Sequence, residues 1–300
     1  MLGGTLLGHL AAILAVAMWG YSFVSSKVLL ENGLGPVQIY VCRFVLAYIL
    51  VVAISHRRLW ASTWREEGMF CLCGLCAGSV YFIAENIALE YTLTTNVSLL
   101  TSMSPLVTAM LVGLVYKTEK LGIGTWIGSA VAIVGVACVV FNSSASVEVR
   151  PLGDFLSLAA AFSWAVYSLI LRRLNANYDV WFISRKTFFY GVLTAIPFLF
   201  FERDTADPLE LMNSPEVYGN LLFLSVGAST IAYVLWAQTV KNVGALKANN
   251  YMYLQPIVTL VVSALVLGES VTLVGYIGIA LILLGLWVGD NINEFIRRKA

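Results

Sequence analysis

Charged side chains are scarce. Only 12% of the 300 residues are Asp, Glu, Lys or Arg, while 59% are hydrophobic and mean hydropathy is +0.84. A soluble globular chain carries about 25% charged residues, so an ordinary water-facing surface is excluded. Histidine is scarcer still: His9 and His56 are the two present, and neither has a catalytic partner in view. A membrane enzyme would need acid, base or metal groups converging at one depth, and these scattered residues do not supply them. The Gly-x-x-x-x-Gly-Lys-Ser/Thr string that cradles ATP phosphates is missing. Any work against a gradient must therefore draw on another gradient. The net charge of +1 gives no reason to invoke nucleic acid, and nothing calls for a cofactor or metal.

What the chain has instead is apolar runs. A membrane crossing needs about 20 predominantly apolar residues. Ten such runs are predicted, near 8–26, 37–55, 68–89, 96–116, 121–141, 154–171, 181–201, 218–239, 248–267 and 272–290. The first lacks the basic lead and the small-residue cleavage pattern of a signal peptide. The fold class expected is an all-α integral membrane protein with ten transmembrane helices. Basic residues favour the cytoplasmic side. Twelve lie on the side of both termini, against Lys27, Arg150 and Arg203 on the other, so both termini are expected in the cytoplasm. The longest break, 202–217, is acidic and is expected outside.

The chain also repeats itself. Thr-Ser-Met-Ser-Pro-Leu-Val-Thr at 101–108 is answered by Met-Tyr-Leu-Gln-Pro-Ile-Val-Thr at 252–259. Gly8 and Trp19 match Gly153 and Trp164, Arg43 matches Arg185, Glu119 matches Glu269, and Gly135 matches Gly285. The order is collinear over five runs per half, which divides the chain into 1–145 and 146–300. Five is odd, so the second half enters the membrane from the opposite side. The halves are then inverted repeats around a central cavity, an architecture of secondary transporters with the substrate site between repeats. Pro105 and Pro256 are expected to kink the fourth and ninth helices, freeing carbonyls tolerable only against protein or a wet cavity.

Trp19-Gly20-Tyr21-Ser22, Ala88-Leu89, Ser104-Pro105-Leu106 and Glu119, echoed by Gln255-Pro256 and Leu267-Gly268-Glu269, resemble the drug/metabolite transporter superfamily, and within it the ten-helix EamA branch. Lys117-Thr118-Glu119 departs from the Gly-Glu pair more usual there. The resemblance implies export of amino acids or other small metabolites across the bacterial inner membrane. Abundant intramembrane Trp and Tyr bring the chain nearest to the YddG-type aromatic amino acid exporters. The expected function is gradient-driven export or facilitated passage by alternating access. Its alternatives are export of another metabolite, a non-aromatic amino acid or a drug, and, from other classes, a channel or a membrane enzyme. The partners expected are a small-molecule substrate and the lipid bilayer.

Positions three or four apart share a helical face. By that rule Trp19 pairs with Ser22, Trp164 with Tyr167, Tyr81 with Glu85 and Tyr233 with Trp236, while Asn249 or Asn250 aligns with Tyr253. The substrate-binding candidates are Trp19, Ser22, Tyr81, Glu85, Thr101, Trp164, Tyr167, Trp236, Asn250 and Tyr253. Any one aromatic could equally belong to an interfacial belt. Glu85 either binds an amine or carries a proton, or else faces water near the headgroups. Arg43 and Arg185 are expected to snorkel or pair. Cys71, Cys73 and Cys76 form a string that reads as metal-binding in a soluble protein, but on an apolar helix thiols act as small packers. Gly74 with Gly78 permits close helix approach. The same spacing in Gly124/Gly128 and Gly285/Gly289 fits either tight packing within the chain or a homodimer face.

Overall fold

In lipid every backbone N–H and C=O must be satisfied within the protein, and the described residues are helical nearly throughout, with no strand among them. The computed structural model describes residues 2–55, 59–92, 94–115, 122–141, 151–202, 205–208, 213–266 and 272–299. His56, Arg57, Arg58, Lys117, Glu119, Lys120, Arg150, Arg203, Gly268 and Glu269 lie outside the described residues.

In chain order the helices are α1 (Leu2–Glu31), α2 (Pro36–Ile54), α3 (Trp64–Tyr91), α4 (Thr94–Thr101), α5 (Ser104–Val115) and α6 (Ile123–Phe141). The second half follows with α7 (Pro151–Leu174), α8 (Val180–Leu199), α9 (Pro215–Val243), α10 (Ala245–Asn250), α11 (Gln255–Val266) and α12 (Leu273–Lys299). Among the described residues, five stretches are long and apolar enough to cross a membrane: residues 6–31, α2, α3, α7 and α9. Shorter apolar helices follow in α5 and in residues 123–135 and 273–289.

Two kinds of interruption recur in both halves. The fourth apolar run is broken between α4 and α5, and Pro105 stands in the first turn of the new helix. In the ninth run a tighter turn, Tyr251–Leu254, separates α10 from α11, and Pro256 again stands in the first turn. Proline is tolerated there because its missing N–H would be unsatisfied anyway. The third and eighth runs each widen into a π-type turn, Leu75–Ser79 in α3 and Phe223–Ile231 in α9. Backbone bonds there span five residues, Val80 N to Leu75 O and Ala232 N to Gly227 O. Gly244, at φ +85°, ends α9 in a conformation that other residues adopt at a cost.

Packing between the halves is reciprocal. α1 lies against α9 and α11, and α7 lies against α3 and the α4–α5 pair. α2 packs on α8, and α6 runs along α12. Glycines set the closest crossings. A Cβ on Gly128 would stand 2.5 Å from Gly285 O and 2.6 Å from Gly289 Cα; one on Gly74 would stand 2.5 Å from Tyr190 Cβ. The Gly128 and Gly285/Gly289 spacing is thus used inside the chain, between α6 and α12. Gly78 faces Gly191 of α8, with the Tyr40 hydroxyl filling the gap.

Candidate functional site

Aromatic rings from four helices converge at the centre. Trp19 of α1 meets Trp164 of α7 edge to face, centroids 5.0 Å apart, and lies 5.2 Å from Trp236 and 5.7 Å from Tyr233 of α9. Trp164 also lies 5.3 Å from Tyr81 of α3 and 5.1 Å from Tyr167. All of these rings are buried. They are not an interfacial belt.

The π-type turns hold this cluster together. A widened turn turns a carbonyl away from the helical ladder, and side chains of the other half take it up. Trp19 Nε1 donates to Ala228 O at 2.9 Å, within the α9 turn. Ser163 Oγ donates to Cys76 O at 2.7 Å, within the α3 turn, and the Tyr233 hydroxyl donates to the neighbouring Ala77 O. Such turns are frequent at functional sites. The cysteine string therefore contributes a backbone oxygen here.

The rings enclose a cavity of about 10 Å³, room for about one water. Trp19, Ser22, Tyr81, Glu85 and Trp164, all named from the sequence, line it together. Phe82, Met252 and Gln255 complete the wall. Glu85 is 2% exposed, so it is not a water-facing headgroup residue, and Tyr81, one turn before it, hydrogen-bonds its carboxylate. Tyr167 and Trp236 pack behind Trp164.

Three candidates lie elsewhere. Thr101 is buried and donates to carbonyls of its own helix, Val97 O at 2.8 Å and Ser98 O at 3.2 Å. Tyr253 packs with Ala132, Leu260 and Ile282. Of the asparagine pair, Asn249 is the fully buried one and receives a bond from Ser168 Oγ at 3.4 Å; Asn250 is half-buried. Gln255 was legible as half of the Gln-Pro motif, but no periodicity marked its side chain as cavity-facing.

The buried charged residues differ in their partners. Lys186 pairs with Glu67, which also accepts from the Tyr190 hydroxyl, and Arg185 donates to Ser55 O. Arg43 does not snorkel; it is fully buried beside Phe82, 4.6 Å from the ring centroid. Outside the spans, the Glu202 carboxylate accepts from Val37 N and, at 3.0 Å, from Gln38 N, capping the first turn of α2. Burial pushes its carboxyl up from the ordinary range, and the two N–H groups partly oppose that.

The EamA-like transporter family matches residues 6–141 and again 151–288, one copy in each half. The chain belongs to that family. Similar proteins include an uncharacterized transporter of Archaeoglobus fulgidus, 28% identical over 87% of this chain and 90% of that one. The YdfC transporter of Bacillus subtilis, also uncharacterized, is 29% identical over 88% of this chain and 85% of its own. A probable amino-acid metabolite efflux pump of Escherichia coli K12 is 24% identical over 96% of each. A crystal structure covering 98% of both chains superposes with a TM-score of 0.77 at 18% identity, a likeness of fold. This EamA protein is thus a multi-pass membrane transporter whose substrate is a small molecule.

Proposed function

We propose that this transporter is a gradient-driven exporter of small amphipathic metabolites, amino acids first and aromatic ones favoured. One observation carries the reading. Rings from both halves, among them Trp19, Tyr81 and Trp164, close on a cavity that Glu85 also lines. Flat apolar walls select an aromatic side chain, and a carboxylate in that setting meets an ammonium or exchanges a proton. The name of the Escherichia coli relative, a probable amino-acid metabolite efflux pump, supports amino acids as the substrate class.

Ligand pockets measure about 300–1,000 Å³, so this conformation is closed at its centre and the rings must part. The breaks before Pro105 and Pro256 and the turns at 75–79 and 223–231 already interrupt the regular ladder, so bending there costs least. Broken helices at corresponding positions of two repeats favour alternating access over a fixed channel. In the same reading the chain crosses the bacterial inner membrane ten times, as inverted repeats 1–145 and 146–300, with both termini cytoplasmic. The reciprocal packing of α1 and α7 on the opposite half supports an axis in the membrane plane.

The test is counterflow in liposomes. Vesicles holding the protein and unlabelled phenylalanine should accumulate labelled phenylalanine transiently and saturably. Labelled tryptophan should follow, with threonine and alanine slower. Flux that neither saturates nor responds to internal substrate would mean a channel. Counterflow with threonine but not phenylalanine would remove the aromatic preference.

A further inference from the structure

Arg43 sits midway along α2, fully buried. Its Nε donates to Ser229 Oγ in the α9 turn at 2.9 Å, but neither terminal nitrogen has a hydrogen-bond partner. The rings of Phe82 and Phe44, with centroids 4.6 and 5.2 Å from the guanidinium carbon, attract the charge but accept none of its remaining N–H groups in ordinary hydrogen bonds. Arginine stays protonated in proteins, so this is a permanent cation with an empty fork at the core of a membrane protein. Buried charges are normally paired.

The charge of opposite sign is Glu85, near enough to act on Arg43 through space. Among the described residues, however, no carboxylate comes within 4.0 Å of the guanidinium. A role limited to packing α2 on α9 would need Nε and the rings alone, and would be served by a side chain without the fork. A planar fork matches a carboxylate in two parallel hydrogen bonds. Two opposite charges held apart are complementary to a ligand carrying both.

We propose that Arg43 is the receptor for the carboxylate of the transported substrate and that Glu85 faces its ammonium, so that the site selects zwitterions. This rests on the amino acid reading above and adds the residue that recognises the acid group. Phe82 and Glu85 already line the cavity. When the rings part, a substrate between them bridges Glu85 to the unused face of Arg43.

The experiment is ligand binding by calorimetry on the full chain in detergent. The panel is L-phenylalanine, 3-phenylpropanoate (no amine), phenethylamine (no carboxylate) and L-threonine (no ring). Arg43→Gln should weaken phenylalanine and phenylpropanoate at least tenfold, about 1.4 kcal/mol, and leave phenethylamine within about twofold. Glu85→Gln should instead weaken phenylalanine and phenethylamine and leave phenylpropanoate within about twofold. Arg43→Lys keeps the charge without the fork and should fall between, and it also covers the case in which Arg43→Gln does not fold. Equal loss of all four ligands in a folded Arg43→Lys protein would overturn the assignment, as would wild-type protein that binds no carboxylate-bearing member. Threonine binding without phenylalanine would remove the aromatic preference, yet an Arg43-dependent loss of threonine would support the assignment. Phenylpropanoate binding alone, lost on Arg43 substitution, would support Arg43 as the receptor and count against amino acids as substrates.

Discussion

Trp19 and Trp164 meet edge to face, centroids 5.0 Å apart and planes at 82°, although they occupy equivalent positions in opposite halves of the chain. Rings at matching positions of the two EamA copies therefore touch, and the cavity adjoins that contact.

Removing the ring tests the site directly. An aromatic contact adds about 0.5–1.5 kcal/mol beyond area burial. Trp164→Ala should accordingly slow phenylalanine and tryptophan transport roughly three- to tenfold at low concentration, with threonine less affected. Because a buried Trp→Ala change can cost about 3–5 kcal/mol in packing, yield and monodispersity are measured alongside. A well-folded variant that loses all substrates equally would make the ring structural.

Glu85→Gln keeps shape and hydrogen bonding to Tyr81 but removes the charge. Transport should fall, and its dependence on external pH should flatten. Initial rates in liposomes across pH 5.5–8 (the chosen assay range) decide this, and rates equal to wild type throughout would leave Glu85 with no part in transport.

At the α6–α12 crossing, a methyl on Gly128 would meet Gly285 O at 2.5 Å, in backbone that cannot swing aside. Gly128→Ala should destabilise by about 1–3 kcal/mol, as overpacking does, and lower the melting temperature in detergent. Gly68→Ala is the control, since a Cβ there meets nothing within 4 Å. Chromatographic size should not change, because the glycine face is used within one chain.

Glu202 gives a pH signature. Burial raises its carboxyl in the folded protein, so folding favours the protonated form. Its contribution is fully present below the ordinary carboxylate range and declines as pH rises through the raised value. The melting temperature of wild type relative to Glu202→Gln should therefore fall as pH rises through and above the ordinary carboxylate range. A constant difference would contradict the assignment. Separately, loss of the cap should cost about 0.5–2 kcal/mol.

Topology is tested at Asp207, exposed in the stretch between α8 and α9. Asp207→Cys, in a chain otherwise free of cysteine, should react with an impermeant thiol reagent from outside intact cells. Labelling only after the cytoplasmic face is opened would reverse the orientation and undercut the inverted-repeat reading.

Helical class, the positions of the apolar runs, the paired prolines and the internal repeat were legible in the residues alone. Each is a local property: apolar run length, a missing N–H at Pro105 and Pro256, or matched spacing such as that of Trp19 and Trp164. Which side chains meet was a different matter. The outward and inward faces of a helix in lipid are both apolar, so helical periodicity separates them poorly. Face reasoning therefore grouped Tyr253 with the site, whereas the fold buries it beside Ala132 and Leu260. Periodicity likewise could not separate Asn249 from Asn250. Arg43 read as a residue to snorkel or pair because its position along α2 did not reveal that α3, α8 and α9 would enclose it. The Gly128 and Gly285/Gly289 spacing fitted a dimer face as well as a crossing within the chain until α12 was laid on α6. Composition and spacing determined that this chain lives in a membrane as two related halves; the packing of one half on the other decided which polar groups face the centre, because that choice depends on contacts more than 100 residues apart, such as Arg43 with Ser229.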